Sequence, residues 1–253
     1  MEQLRDINGY VQKMEKSLMD KLFFIDKLYE PVEYIVDFGC ANGVLIRALQ
    51  ALFPEYRYIG YDISSDMIRR GKETVPTAAF YDNWQEIRIP FDRALLNISS
   101  TVHEVYAYGT EHSIKEFWDN VFHSGFQYIA IRDMMLSDEI KLMADPEDVM
   151  KARKLFPEKL AEYESIWGPI SIRFNLIHYL LKYRYTENWD REVRENYLPI
   201  TKETLLSLIP DDYEIVYQEH YLLPYIKQQV QKDAGIVLKD FTHYKLLLKK
   251  RDI

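Results

Sequence analysis

Short runs of apolar, often β-branched residues alternate along this chain with stretches in which apolar residues recur every three or four positions. Residues 34–36 form such a run, which predicts a β-strand ending at Asp37. Apolar positions at helical spacing predict a helix over 44–52, and residues 58–61 predict a second strand ending at Asp62. Two parallel strands joined by a helix form a right-handed βαβ unit, which binds ligands at the carboxyl ends of its strands.

The same two patterns continue on both sides of this unit and predict an α/β fold. An apolar stripe at helical spacing predicts an N-terminal helix within residues 1–30, which packs on the sheet. The remaining predicted strands lie at 78–81, 93–99, 126–131, 213–219 and 241–248, and the remaining predicted helices at 66–72, 113–122 and 202–209.

The loop after the first predicted strand indicates a nucleoside cofactor. Gly39 and Gly43 frame a tight turn, where glycine permits positive φ and lets the backbone approach a ligand. The helix that follows offers free N–H groups, and Asp62 is placed to accept hydrogen bonds from ribose hydroxyls. The loop lacks the third glycine of G-x-G-x-x-G, and a carboxylate at Asp37 would repel a pyrophosphate. A cofactor with a cationic amino-acid end therefore fits better than a dinucleotide.

The loop sequence D-F-G-C-A-N-G resembles the first motif of the class I S-adenosylmethionine-dependent methyltransferases. IGYDISSDMI (59–68), AFYDNW (79–84) and FDRALLNISSTVHEV (91–105) resemble the second, third and fourth motifs of that family, in order. Asn42 departs from the Gly or Asp of many relatives. The resemblance implies one methyltransferase domain over 1–253, with a Rossmann-like seven-stranded sheet, helices on both faces and a final hairpin whose last strand is antiparallel. It also implies S-adenosylmethionine as cofactor and S-adenosylhomocysteine as product.

The resemblance further implies which residues bind the cofactor. Asp37 lies at its methionine end, Asp62 at its ribose and Asp82 at its adenine amine. Trp84 either stacks near the adenine or belongs to the core. Cys40 is expected to be a small packing residue of the loop, since no base lies beside it in the sequence to activate the thiol. The full predicted set is Asp37, Gly39, Cys40, Gly43, Asp62, Ile63, Met67, Asp82, Asn83, Trp84, Asn97 and Ile98.

Three residues are candidates for catalysis because the resemblance places them beside the transferring methyl group. His103 accepts a proton from a substrate hydroxyl or amine, or it only caps or packs. Glu104 orients that histidine or binds a cationic substrate. Arg132, at the end of the fifth strand, holds an anionic substrate group or forms a structural ion pair. Placement and desolvation supply much of methyl-transfer catalysis, so a base is optional.

About 65 residues, 134–200, separate the fifth strand from the sixth, more than the resembled family needs. They are mostly helical by period and rich in aromatic residues, with a break at Gly168-Pro169. We expect this insertion to be a helical lid or a substrate-binding subdomain, because long insertions beside strand ends often carry binding function. A structural addition or a dimer interface is the alternative. For the N-terminal helix, the alternative to packing on the sheet is a flap over the cofactor.

Composition favours a globular protein with an enclosed pocket. The net charge is −8, which argues against an open nucleic-acid surface. One cysteine fits a reducing cytoplasm, and the absence of a signal peptide or a run of 18 apolar residues predicts no membrane segment. A small-molecule acceptor is therefore the first choice. RNA or protein is the second, because aromatic residues at 174–197 lie among Lys and Arg side chains and could stack unpaired bases.

Two other classes of function stay open at this point. One is a nicotinamide-dependent oxidoreductase, against which the missing third glycine and Asp37 argue. The other is a catalytically silent binding protein with the same fold, since the motifs for cofactor binding do not require turnover. The sequence has no His/Cys cluster with the spacing of metal ligands, so it predicts no metal site. The oligomeric state is left open.

Overall fold

Seven strands form one sheet in the computed structural model, which describes residues 17–251. The order across the sheet is β3-β2-β1-β4-β5-β7-β6. β1 to β5 are parallel, and β7 is antiparallel to both β5 and β6. The strands are β1 Tyr34–Phe38, β2 Arg57–Tyr61, β3 Ala79–Tyr81, β4 Ala94–Ser99, β5 Tyr128–Met134, β6 Tyr213–Tyr221 and β7 His243–Lys250.

Helices cover both faces of this sheet and fill the segment before β6. In the described part of the chain they are α1 Leu18–Lys21, α2 Val44–Leu52, α3 Ser65–Thr74, α4 Val102–Tyr108, α5 Glu111–His123, α6 Pro146–Ala152, α7 Pro157–Trp167, α8 Arg173–Lys182, α9 Trp189–Glu192, α10 Lys202–Ser207 and α11 Pro224–Ala234. None of these helices is long and apolar enough to cross a bilayer.

Two hydrophobic cores, one on each face of the sheet, hold the strand ends in place. One core packs α5 against the sheet through Phe117 and Val121, and the other packs α2 and α3 through Leu49 and Ile68. Every residue of β4 is buried, as its uninterrupted apolar run predicts for a central parallel strand. The carboxyl ends of β1, β2, β4 and β5 therefore meet at one edge between the two helix layers.

A third core belongs to the segment 134–200. Leu160, Tyr163, Leu176, Tyr179 and Val193 are among its buried members, and Val230, Ile236 and Leu238, on and after α11, complete it. The aromatic residues of this segment thus bury one another, which explains why a polar-rich stretch carries so many of them. The predicted helical insertion before β6 is confirmed as an architectural feature.

The predicted α/β architecture and the antiparallel last strand are confirmed, with two differences in detail. β6 and β7 do not form a tight hairpin, because α11 lies between them. Pro224 at the first helical position and Gly235 at φ +67° after the last are the ordinary start and stop signals that would have identified this helix. Of the predicted N-terminal helix, residues 1–16 lie outside the described range, and the rest is divided into α1 and a 3₁₀ turn at Ile25–Lys27.

Candidate active site

A buried polar pair joins the ends of the two central strands. Asp37 on β1 and Asn97 on β4 are register partners, and the Asn97 amide donates to Asp37 Oδ1 at 2.7 Å. The Ser99 hydroxyl donates to Asn97 Oδ1 at 3.1 Å. Burial raises the pKa of Asp37 to about 6, although the Asn97 hydrogen bond opposes the rise. A cation placed beside this carboxyl would lower its pKa and be bound by it.

The glycines of the loop adopt the predicted backbone, but the space they leave is used by the protein itself. Gly39 and Gly43 both have φ +77°. A Cβ on Gly39 would lie 2.4 Å from Thr101 Oγ1, and one on Gly43 would lie 2.9 Å from the Phe80 ring. The space beside these two glycines is therefore filled by Thr101 and Phe80. It is not left open for a ligand. Buried Cys40 lies in the same loop, and burial raises the pKa of its thiol, so it is a packing residue rather than a nucleophile.

Asp62, at the end of β2, keeps the loop and the next helix in register. Its carboxylate accepts from the Ala41 N–H and from the Ser64 N–H, both at 2.9 Å. Each carboxylate oxygen has a second acceptor site, so the group can still bind hydroxyls of a ligand. The neighbouring Ile63 is 73% exposed, an apolar surface at the strand end. Asn42 Oδ1, in the same loop, is a buried acceptor without a donor among the described residues.

The residues of the third motif are only partly directed to this edge. Asp82 is exposed and accepts from the Ser65 hydroxyl at 2.5 Å, and Asn83 caps the 3₁₀ turn that follows. The Trp84 ring packs 5.3 Å from the rings of Phe38 and Tyr61, which answers the open question in favour of the core. Of the other predicted contacts, Met67 is half-buried on α3, and Ile98 is fully buried within the β1–β4–β5 ladder.

A buried histidine and a carboxylate form the second half of the site. His103, near the start of α4, approaches Asp133 Oδ1 on β5 through Nδ1 at 2.6 Å. The His103 backbone N–H donates to the other oxygen of Asp133 at 3.3 Å, and the Met134 N–H donates to Oδ1 at 2.7 Å. Asp133 therefore sets both the position of α4 and the orientation of the imidazole. The ring nitrogen Nε2 is left to face the insertion.

The insertion closes over that nitrogen with residues that the sequence analysis missed. Glu195 is 3% exposed, and its Oε1 lies 3.5 Å from His103 Nε2. Arg191 Nη2 lies 3.1 Å from Glu104 Oε1 and 3.4 Å from Glu195 Oε2. The Tyr108 hydroxyl donates to Glu195 Oε2 at 3.1 Å. Helix α4 and the insertion are thus joined by charged groups directly above the strand ends.

The segment that carries Arg191 and Glu195 is itself held from within the insertion. The Lys182 ammonium is fully buried and donates to the carbonyl oxygens of Glu192 at 2.8 Å and Glu195 at 2.6 Å. The Tyr197 N–H donates to His178 Nε2 at 3.2 Å, and burial lowers the pKa of that histidine to about 2. His178 is therefore a neutral core residue that fixes the backbone next to Glu195.

Carboxylates on three elements control the charge of His103. Burial by itself lowers its pKa, but Asp133 on β5, Glu104 on α4 and Glu195 in the insertion outweigh burial and raise the pKa to about 9. The imidazole is therefore protonated at neutral pH in the closed arrangement. The pKa of Asp133 shifts in the opposite direction. Burial alone would raise this pKa, but the charge of His103 and the hydrogen bonds that Asp133 accepts hold it below the usual value.

This pairing predicts a loss of stability at high pH. Because the folded-state pKa of His103 lies above its unfolded value, its contribution is complete below pH 6.5 and disappears as pH rises through 9. The difference in unfolding free energy between the native protein and His103→Gln should shrink by on the order of 3 kcal/mol between pH 6 and pH 9.5. Urea denaturation at the two pH values measures this. A difference that stays constant with pH would contradict the assignment.

The same cluster contains a group with ligand atoms for a metal. Atoms of His103, Glu104 and Glu195 lie within 4.8 Å of one another. Arg191 forms ion pairs with both glutamates, and the His103 ring also lies 3.5 Å from Glu195, so basic side chains of the protein already pair with these carboxylates. We therefore assign them to the ion-pair network between α4 and the insertion.

Arg132 forms the structural ion pair that is one of the two alternatives for its sequence position. Its guanidinium binds Asp20 on α1 at 2.8 Å, the Tyr221 hydroxyl at 3.3 Å and the Ser100 hydroxyl at 2.9 Å. Its sequence neighbour Asp133 binds His103 instead. Arg132 thus fastens α1 to the sheet, and its guanidinium is engaged by groups of the protein.

Three of the basic residues that lie among the aromatic residues of 174–197 are occupied within the protein. Lys182 is buried, Arg191 pairs with Glu104, and Arg184 Nη1 lies 3.2 Å from Asp233 Oδ2. These groups would have to leave their partners to bind phosphates. The arrangement therefore gives little support to an RNA-binding surface at this segment.

Comparisons with known proteins agree with this architecture. Residues 35–123 match the family model of a methyltransferase domain. The fold is similar to those of the plantazolicin methyltransferase BamL, solved with S-adenosylhomocysteine (12% identity, TM-score 0.53, covering 94% of this chain and 85% of that one), and the cyclopropane synthase MmaA2 from Mycobacterium tuberculosis (13%, 0.51, 94% and 85%). It is also similar to that of the pyocyanin biosynthetic protein PhzM (9%, 0.56, 96% and 57%). No curated protein matches the chain by sequence.

Proposed function

We propose that this chain is a class I, Rossmann-like S-adenosylmethionine-dependent methyltransferase that methylates an oxygen or nitrogen atom of a small molecule bound between α4 and the insertion, as the match of residues 35–123 to a methyltransferase domain and the order of the strands support. The observation that carries the proposal is His103. Its Nδ1 is held by buried Asp133, while Nε2 faces Glu195 of the insertion across 3.5 Å. The acceptor would lie beside Nε2, at the edge where the cofactor site begins.

The residues at the ends of β1 and β2 fit the cofactor. Asp37 offers a buried carboxyl for its ammonium group, Asp62 offers acceptor sites for ribose hydroxyls, and exposed Ile63 offers an apolar surface for the adenine. Asn42 Oδ1 is a buried acceptor that a donor of the cofactor could satisfy. When bound, S-adenosylmethionine supplies a methyl group that leaves a sulfonium sulfur, which keeps the bonding electron pair, as the acceptor atom forms the new bond.

His103 is suited to take the proton that the acceptor loses. Asp133 fixes Nδ1 as the nitrogen that donates to it, so Nε2 is the nitrogen that accepts. The buried carboxylate then stabilises the imidazolium that forms. In the closed arrangement Glu195 occupies the space next to Nε2 and favours the protonated ring. An acceptor that replaces Glu195 at Nε2 removes this carboxylate and lowers the pKa of His103 toward the range in which a base functions.

The charges around His103 support a small polar acceptor. Glu104, Tyr108, Arg191 and Glu195 supply both hydrogen-bond donors and acceptors around His103, so the acceptor can be held through polar groups. The insertion that carries Arg191 and Glu195 has a hydrophobic core of its own, which fixes these two side chains above His103.

Asp62→Ala is expected to weaken binding of S-adenosylhomocysteine tenfold or more, about 1.4 kcal/mol or above. The substitution removes acceptors for the ribose and also the oxygens that hold the Ala41 and Ser64 N–H groups. Asp66→Ala is the matched control, since Asp66 lies on the exposed side of α3 and its ion pairs within residues 17–251 are with Arg69 and Arg70. Calorimetric titration measures both variants. Equal affinities for the two would remove Asp62 from the cofactor site.

A labelling experiment tests the class of acceptor. The protein is incubated with methyl-labelled S-adenosylmethionine and a cell extract divided into small-molecule, RNA and protein fractions. We expect label in the small-molecule fraction, and its loss with His103→Gln. Label confined to the RNA or protein fraction would reject the proposed acceptor class. Absence of label from all fractions, with cofactor binding intact, would support a silent binding protein.

A further inference from the structure

A carboxylate of the protein occupies the place beside His103 where the acceptor would bind. Oε1 of Glu195 lies 3.5 Å from His103 Nε2. Its Oε2 accepts from the Tyr108 hydroxyl at 3.1 Å and lies 3.4 Å from Arg191 Nη2. Arg191 is always charged, and the pKa of His103, about 9, keeps its ring protonated at neutral pH. Two cations and a hydroxyl therefore form a binding place for a carboxylate, which Glu195 fills.

The donors of this place are held by groups other than Glu195. Arg191 Nε donates to the Tyr108 hydroxyl oxygen at 3.1 Å, and Arg191 Nη2 donates to Glu104 Oε1 at 3.1 Å. The His103 ring is held from β5 through its other nitrogen, at 2.6 Å. These contacts do not involve the Glu195 carboxylate, so the carboxylate of a ligand would meet the same donors and form charge-assisted hydrogen bonds with them.

Glu195 can leave this place while its backbone stays. The Lys182 ammonium donates to the Glu195 carbonyl oxygen at 2.6 Å, which fixes the segment. Rotation about the side-chain bonds of Glu195 moves its carboxylate alone. A neutral ligand in its place would take one carboxylate from Arg191, whose side chain is only 15% exposed, and the loss of a partner is costly for such a charge. A cationic ligand would face Arg191 and the protonated His103, whereas a ligand with a carboxylate preserves the charge balance.

We propose that the methyl acceptor is a small carboxylic acid whose carboxylate replaces that of Glu195 at Arg191 and Tyr108, with its reacting hydroxyl or amino group at His103 Nε2. The inference rests on the proposed function, because it names the substrate class of that site. One carboxylate spans both contact points in the structure, so the reacting group lies close to the carboxyl group in the acceptor, as in an α-hydroxy acid or an ortho-hydroxy aromatic acid.

This placement is compatible with the transfer step. The carboxylate of the acceptor lies at Arg191 and not at Nε2, so His103 can lose its proton before the reaction. The acceptor oxygen or nitrogen then forms the bond to the methyl carbon, whose bond to the sulfonium sulfur breaks with the electron pair on sulfur. The displaced proton goes to Nε2.

Glu195→Ala tests the carboxylate site without methyl transfer. The truncation opens the place of the carboxylate, and acetate is titrated into the variant with acetamide as its neutral isostere, followed by NMR. Acetate should bind the variant at least tenfold more tightly than acetamide does, about 1.4 kcal/mol or above, and at least tenfold more tightly than it binds the native protein. Adding Arg191→Met should abolish the preference for acetate. Glu147→Ala is the matched control, since Glu147 pairs with Lys151 on α6, and it should bind acetate no better than the native protein.

Depletion of a cell extract tests the acceptor class with the native protein. The small-molecule fraction is passed over an anion-exchange or a cation-exchange resin before methyl-labelled S-adenosylmethionine and the protein are added. Labelled product should be lost after removal of the anions and kept after removal of the cations. Label that survives removal of the anions would overturn the inference. Loss of label after treatment of the extract with a phosphatase would indicate a phosphate in place of the carboxylate and would overturn it as well.

The two experiments separate failure of this inference from failure of the proposed function. Equal affinities of folded Glu195→Ala for acetate and acetamide would overturn the carboxylate site, whatever the protein methylates. Preferential binding of acetate without label from the untreated extract would reject the proposed methyl transfer, and with it the acceptor, but would retain the carboxylate site. Circular dichroism shows whether Glu195→Ala folds. If it does not, the depletion experiment with the native protein decides alone.

Discussion

His103→Gln is expected to reduce the rate of methyl transfer by roughly 10²–10⁴-fold, the usual contribution of a positioned general base. Glutamine retains hydrogen-bonding capacity toward Asp133 but cannot take up a proton at neutral pH. The affinity for S-adenosylhomocysteine should stay within a factor of about three, because His103 is not among the residues assigned to the cofactor. Measuring the rate with the acceptor found by labelling, together with the affinity, separates loss of chemistry from loss of binding.

The pH profile of the native enzyme provides a second readout for the same role. The rate should rise with pH as the imidazolium of His103, whose pKa is about 9 in the closed arrangement, loses its proton. Glu195→Gln removes one of the carboxylates that raise this pKa, so the rising limb should move to lower pH. Asp133→Asn should also lower the rate, because it removes the charge that stabilises the imidazolium. A rate in His103→Gln close to that of the native protein would exclude the histidine as base.

Gly39→Ala is expected to destabilise the fold by about 2–5 kcal/mol. The left-handed backbone at φ +77° costs an alanine about 1–2 kcal/mol. The new Cβ would also lie 2.4 Å from Thr101 Oγ1, and overpacking of this kind costs typically about 1–3 kcal/mol more. Urea denaturation with an unchanged slope gives the difference in unfolding free energy.

Gly235→Ala is the matched control for this prediction. Gly235 ends α11 with φ +67°, and a Cβ there would meet no atom within 4 Å. Only the backbone term of about 1–2 kcal/mol should remain. Gly39→Ala should therefore lose more stability than Gly235→Ala. Adding Thr101→Ala to Gly39→Ala should recover part of this additional loss, because the second substitution removes the two atoms nearest to the new Cβ. Equal losses for the two glycine variants would show that Thr101 does not limit the space at Gly39.

Much of the sheet could be predicted from sequence because its elements are local patterns. The continuous apolar run of β4 indicates a strand buried on both faces, and the loop after β1 combines an acid with two glycines whose positive φ is then observed. Helix α11 was missed although its proline and glycine signals are present. That omission came from assuming a hairpin, not from a missing signal.

The candidate site was predictable only where its residues belong to a motif. Asp37, Asp62 and His103 lie at strand ends or directly after them, so the βαβ topology places them together at one edge. The role of Trp84 was left open, since the same aromatic residue serves a ligand face or a core, and only packing against Phe38 and Tyr61 distinguishes the two. The role of Arg132 was left open between a substrate contact and a structural ion pair, because its partner in the ion pair, Asp20, lies 112 residues earlier.

The sequence alone determined the fold class and predicted the cofactor and the edge of the sheet that carries the candidate site, because these depend on periodicity and on residues that are close along the chain. Only the tertiary structure decided which groups complete the site. Asp133 lies 30 residues from His103, and Glu195 reaches His103 from the insertion through a segment held by Lys182. Such contacts arise from packing between distant segments, which leaves no spacing in the sequence to detect.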